Sequence, residues 1–302
     1  MRVSSLNFGT TLMRNLQVNN GKLNTLMTQI AEQKRVRVAS DDPVASAQLS
    51  QLRREQAATR QYQHNITQVS HSLSLQETQV EGSSDLLLSM LDTLREANSA
   101  QHNAEDMGGF AAELETLKSA LIAQLNSRDE SGRYLFAGTV TDRAPVVRDA
   151  GSGAWIYQGN HDGVSTPVSN GVTVPANIDL AASFGDDMKM LNQLETLLGK
   201  MANPALPAGS YSADITAMLA QSQTTLDNVT RLFTDLGGRQ NSLTLLQDAH
   251  ADKALIHEEL TQQLEGLDMA GAMLDLNRYT LASQAAYKTY GQVATLSLFN
   301  LR

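Results

Sequence analysis

Apolar residues recur along this chain at intervals of three, four and seven, the spacing that gathers them on one face of an α-helix. In the longest run Leu52, Thr59, Ile66, Leu73, Val80, Leu87 and Leu94 stand seven apart, and Tyr62, Val69, Met90 and Ala97 add a second seam three places on. Asp42 followed by Pro43 predicts where this helix opens, as N-cap and first helical residue. Gly108-Gly109 predict the turn that ends it, near Asp106. A shorter helix follows, with Phe110, Leu114, Leu117, Leu121 and Leu125 on one face. A return helix carries Ile215, Leu219, Leu226, Val229, Phe233, Leu236 and Leu243, with Gly237-Gly238 inside it as either a kink or an end. Antiparallel packing of the three would bury their stripes in a narrow bundle.

Both ends of the chain are amphipathic as well. Leu6, Met13, Leu16, Leu23, Met27 and Ile30 share a face near the N-terminus. Leu260, Leu267, Leu274 and Leu281 repeat every seven residues near the C-terminus, and Leu296 and Phe299 extend the apolar pattern. The two ends can pair, yet one stripe each is little to set against the entropy of ordering some 75 residues. Their outer faces are therefore expected to be buried by neighbouring subunits, with folding of the ends coupled to assembly.

Between them lies a different texture. Residues 138–183 hold six of the 20 glycines, three of the six prolines and the single Trp. Trp155-Ile156-Tyr157 and Val172-Thr173-Val174 are strand candidates there, residues 184–200 a short amphipathic helix, and 203–209 a linker. The predicted architecture is mainly α: an elongated antiparallel helical rod with paired N- and C-terminal coiled-coil helices and a small inserted β-rich domain. Residues 1–40 with 263–302 would form the terminal assembly domain, 41–137 with 205–262 the rod, and 138–204 the insert.

Composition narrows the function. The 302 residues carry 23 Lys+Arg against 32 Asp+Glu, no Cys and 5% aromatics. Without cysteine there is no disulfide, Cys-based zinc site or thiol catalysis. Residues 39–259 hold 14 basic and 28 acidic groups, which disfavours nucleic acid as a partner. No apolar run is long enough to span a membrane, and no secretory signal pattern is visible at the N-terminus. His64 and His71, like His250 and His257, are seven apart. A seven-residue helical rise of about 10.5 Å is too long for both imidazoles to ligate one zinc, so these histidines are read as solvated helix positions. Asp41-Asp42 is explained by capping and Glu258-Glu259 by an exposed helix face. No GxSxG or phosphate-loop motif occurs, so neither catalytic residues nor a cofactor or metal is expected.

Four stretches carry a resemblance: Val38-Ala-Ser-Asp-Asp-Pro-Val-Ala45, Arg133-Tyr-Leu-Phe-Ala-Gly-Thr139, Gly238-Arg-Gln-Asn-Ser-Leu243 and Leu296-Ser-Leu-Phe-Asn-Leu-Arg302. Over residues 1–140 and 205–302 the chain resembles the bacterial flagellin superfamily, most closely its hook-associated, junction-forming branch. The insert matches nothing in that pattern. The resemblance implies a structural, non-enzymatic subunit of the flagellum, secreted by type III export without a cleaved signal. It implies terminal helices lining an inner tube, a helical middle shell and an outward insert. It also implies partners: further copies of the chain, a hook-associated protein below, flagellin above, and an export chaperone on the C-terminal helix.

On this reading the assembly residues are Leu6, Met13, Leu16, Leu23, Ile30, Leu267, Leu274, Leu281, Leu296 and Phe299. Asp41, Asp42 and Pro43 would cap the rod helix and form a flexible spoke between tube and rod. Two alternatives stand beside it: an ordinary flagellin filament subunit, against which the Asp-Asp-Pro motif and a Phe-Ala-Gly-Thr strand argue, and an elongated coiled-coil signalling protein.

Overall fold

A computed structural model of the chain describes residues 2–99, 103–185, 188–203, 205–207 and 210–299. Six helices carry most of them: α1 (Arg2–Glu32), α2 (Pro43–Ala97), α3 (Ala104–Leu125), α4 (Lys189–Met201), α5 (Ser212–Glu265) and α6 (Met269–Phe299). Four short strands, β1 (Val146–Arg148), β2 (Trp155–Tyr157), β3 (Ser165–Ser169) and β4 (Val172–Pro175), pair antiparallel as β1–β2 and β3–β4. The contacts divide into two compact units, Met1–Thr59 with Ala251–Arg302, and Arg60–His250.

The Arg60–His250 unit holds one large core. Ile66, Leu73, Val80, Leu87 and Leu94 of α2 are all buried in it, with Val69, Met90 and Ala97 of the second seam. Leu114, Leu121 and Leu125 of α3 and Val229, Leu236 and Leu243 of α5 complete the helical part. α3 and α5 each run antiparallel to α2, and so parallel to one another. The Gln240 side-chain amide of α5 meets Glu77 of α2 at 2.6 Å, and Ser212 at the start of α5 meets Asn98, just past the end of α2, at 3.4 Å. Thr93 of α2 reaches Glu113 of α3 at 3.2 Å.

Two boundaries differ from the glycine-based expectation. α2 ends at Ala97, and Gly108-Gly109 lie inside α3. Asn103 opens α3 with a capping box, its side chain accepting from the Glu105 and Asp106 amides while Asp106 accepts from the Asn103 amide. That cap, and the burial of Met107, Ala111 and Leu114 on one face, outweigh a helix-propensity cost of about 1 kcal/mol per glycine. Gly237-Gly238 likewise neither end nor interrupt α5, which runs unbroken for 54 residues.

Within this unit the insert packs onto the helices through side chains. α4 buries Met190, Leu191, Leu194, Leu197, Leu198 and Met201. Lys118 of α3 is almost fully enclosed and pairs with Glu115 and with Glu195 of α4. Glu195 also accepts from Arg148 of β1, at 3.1 Å, and its carboxyl is held below the usual carboxylate range, first by Lys118. The strand read at Phe136–Thr139 is instead a turn segment. Phe136 and Ala137 are buried, and Gly138 has φ +68° with the Asn160 carbonyl 2.0 Å from where a Cβ would stand. Only glycine fits there. The strands that the sequence pattern missed, β1 and β3, are short beside Pro145 or interrupted by Pro167.

Two histidines expected in solvent are buried. His250 stacks on Tyr62 with ring centroids 5.5 Å apart, and its Nε2 lies 2.8 Å from the Val168 carbonyl on β3. Helical periodicity alone could not anticipate a strand arriving from the insert to cover it.

Candidate assembly surface

The Met1–Thr59 with Ala251–Arg302 unit contains the residues that the sequence marks for assembly. α1 and α6 lie antiparallel. Asn19 donates to the Tyr279 carbonyl at 2.9 Å, Ser283 to Asn20 at 3.1 Å, and Asn20 to the Tyr287 hydroxyl at 3.2 Å. Lys22 sits over the Tyr279 ring, 5.7 Å from its centroid. These contacts are mostly polar, which suits a pair with little shared core.

The helix pair is joined to α2 and α5 by a compact knot of loops. Gln33, at φ +55°, ends α1, and the Lys34 amide returns to the Gln29 carbonyl at 3.1 Å in a Schellman-type closure. The chain then pairs with the α5–α6 turn. The Arg35 amide donates to the Glu265 carbonyl at 2.7 Å, and the Leu267 amide to the Gln33 carbonyl at 3.3 Å. The Glu265 carboxylate takes Lys34 and Arg53 at 2.9 Å each. Arg35 bridges Asp42 at 3.0 Å and the Leu264 carbonyl at 2.9 Å. Beneath this lattice Val36, Ala45 and Leu49 form a small core with Leu264 against it.

Asp41, Asp42 and Pro43 belong to this knot. Asp42 Oδ1 accepts from the Ala45 amide at 3.0 Å, capping α2 with Pro43 as first helical residue. Asp41 Oδ2 accepts from the amides of Arg37 and Val38, at 3.0 and 3.1 Å. The Val38 amide foremost holds the Asp41 carboxyl below its ordinary range, and the Ala45 amide, then Arg35, does so for Asp42. The residues read as a spoke thus form a hydrogen-bonded loop, tied both to the start of α2 and to the end of α5.

Of the residues predicted to drive assembly, Leu16 is buried at 4% exposure within the pair. Leu23, Ile30 and Leu267 are half-buried. Met13, Leu274 and Leu281 face solvent, at 52%, 60% and 65%. The side chains of Leu6, Leu296 and Phe299 lie outside the described residues. Met27 of the same stripe is also open to solvent, and the exposed apolar surface is broader than the stripe suggested, since Val18, Met273, Tyr287 and Tyr290 are open too. A 3.5-residue stripe marks one seam, whereas two helices that pair along a polar strip leave both flanks uncovered. Among the described residues no group of three or more His, Cys, Asp or Glu side chains could hold a metal ion.

The family model of the bacterial flagellin N-terminal helical region matches residues 3–141. A solved structure assigned as a flagellar hook-associated protein of Vibrio parahaemolyticus is 32% identical, with a TM-score of 0.68 over 75% of this chain and 100% of its own. The chain belongs to the flagellar hook-associated proteins of the flagellin superfamily. Two curated relatives are similar over nearly their whole length. Flagellar hook-associated protein 3 of Salmonella typhimurium is 24% identical over 319 residues, 100% of this chain and 99% of that one. Its namesake in Escherichia coli is 26% identical over 299 residues, 90% of each. The chain is thus most like hook-associated protein 3 and is a structural component of the bacterial flagellum.

Proposed function

We propose that this hook-associated protein joins the hook to the flagellin filament by folding and assembling at once. The terminal helices of each copy zip with those of its neighbours around an axial tube. The copies rest on a preceding hook-associated protein and present a surface to the first flagellins. Before export an unfolded-chain chaperone covers α6, and the chain leaves through the type III apparatus without losing a signal. No step requires a cofactor or a catalytic group.

The observation that carries this reading is the apolar outer face of the α1–α6 pair, with Leu274 and Leu281 more than half exposed. An exposed apolar face of this extent on paired helices calls for a cover, and the family supplies subunit neighbours as that cover. Deleting residues 275–302 tests it. The expected product is a soluble chain that keeps the Arg60–His250 core yet leaves cells with bare hooks and flagellin in the medium. Filaments still attached in cells carrying only this truncation would overturn the reading.

A further inference from the structure

The last turns of α5 have their amphipathicity inverted. Over residues 251–265 the positions facing α2 are Ala254, His257, Thr261 and Leu264, mostly small or polar. His257 is buried beside Glu55, 3.5 Å away, and Gln56 donates to its carbonyl and to Thr261 at 3.3 and 3.1 Å. Apart from Leu264, which packs inward on Val36, Ala45 and Leu49, the large apolar residues point the other way. Leu255 is 67% exposed, Ile256 57% and Leu260 41%. A helix segment that turns three of its four large aliphatic side chains outward, over His257 and Thr261 inward, leaves most of its apolar surface to be covered from outside its own molecule.

Charge indicates what covers it. The exposed side also carries Asp252, Glu258 and Glu259, with Lys253 as its one cation, so it is acidic on balance. Residues 251–302 carry six acidic groups against four basic, whereas residues 1–59 carry eight basic against four acidic. Apposing two α5 stripes would bring like charges together. Apposing the stripe to the outward side of α2, where Arg54 is exposed between Ala47 and Ala58, brings opposite charges together over small side chains. We propose that the Leu255–Leu260 face of α5 receives the Arg54 face of α2 from a second copy of this chain.

Such a contact is heterologous, so it propagates into a ring or helical layer instead of closing as a dimer. Covering three such side chains removes on the order of 200–300 Å² from water. That is far below the ~800 Å² per partner of a stable pair. The contact therefore adds to an assembly held elsewhere and leaves the free chain monomeric. The inference rests on the junction reading for its setting and extends it by naming which faces meet.

The chain contains no cysteine, so introduced thiols report without background. Copies bearing Ile256→Cys and copies bearing Arg54→Cys are expressed together and oxidised, both in isolated flagella and as concentrated purified protein. A disulfide-linked pair is expected only when both variants are present. A dimer formed by Ile256→Cys alone would overturn the heterologous contact, and so would the absence of any cross-link in both samples. As a second measurement, Ile256→Asp should fold with an unchanged circular dichroism spectrum and Tm yet fail to restore filaments to cells lacking the chain. Full restoration by this variant would equally overturn the interface. The junction reading is scored separately, by whether cells lacking the chain lose their filaments and the unaltered chain returns them.

Discussion

Asp41 and Asp42 are adjacent, yet they serve different donors, one closing the 37–41 turn and the other opening α2. Both carboxyls ionise below the usual range in the folded chain, through backbone amides first. A depressed folded value means that their contribution is complete above the ordinary carboxylate pKa near 4 and is lost as pH falls through the lower folded value. Between pH 5 and pH 2.5 the Tm should therefore fall further in the parent than in Asp41→Asn/Asp42→Asn, as followed by circular dichroism. Equal falls would exclude these two groups from the acid response. His257 gives a second case at this scale. Its Nδ1 is buried and, among the described residues, has no hydrogen-bond partner. An orphaned buried polar atom costs about 1–3 kcal/mol. His257→Leu should accordingly stabilise the chain by about 1 kcal/mol, read as a higher urea midpoint with unchanged slope. A lower midpoint would mean that the Glu55 contact outweighs the orphaned nitrogen. The burial of His257 was not legible in a heptad, because a wheel gives the angle of a residue and not what lies opposite. The capping role of Asp42 was legible, since it depends only on Asp-Pro before an apolar-periodic run.

Elements follow the same division. The α2 seam was readable because 3.5-residue spacing is a local property, and Ile66, Leu73, Val80, Leu87 and Leu94 are all buried. On α5 Ile215, Leu226, Val229, Leu236 and Leu243 are buried, but Phe233 of the same stripe is 40% exposed. The paired glycines misled at 108–109 because a glycine ends a helix only where the chain needs a left-handed residue or a close approach. Gly108, Gly109, Gly237 and Gly238 sit within helices, and nothing stands within 4 Å of where their Cβ atoms would be. Glycine in an open helical position costs roughly 1 kcal/mol relative to alanine. Gly237→Ala/Gly238→Ala should therefore raise the stability of the Arg60–His250 unit by about 1–2 kcal/mol, seen as an increase in Tm. A decrease would show that α5 is strained there, and impaired motility with raised Tm would show that the flexibility is used. Gly138 is the contrasting case. Its positive φ and the Asn160 carbonyl forbid a side chain, and the turn it makes lies in one of the stretches that first suggested the family.

At the scale of the molecule the two compact units are built by different means. The Arg60–His250 unit has a continuous hydrophobic core drawn from α2, α3, α4, α5 and the insert. The other unit has a small core of Val36, Ala45 and Leu49 with Leu264, the α1–α6 pair beyond it, and a dense set of ion pairs at Glu265, Arg35 and Asp42. Exposed ion pairs contribute little to net stability, and the helix pair buries only Leu16, Ala272 and Ser283 among its described side chains. Local opening should then be frequent in α1 and α6 and rare in the core segments of α2 and α5. Amide exchange on dilute chain is expected to label residues 9–32 and 269–292 well before 66–94 and 226–243. The same terminal amides should become protected in isolated flagella, where neighbouring copies cover Leu274 and Leu281. This pairing of measurements separates two causes that a single one would merge. If the ends are protected already in dilute solution, α1 and α6 are self-sufficient and assembly is docking of preformed helices. If they stay unprotected in flagella as well, their apolar faces are not the seam, and the adhesive surface must be sought on α2 and α5 instead.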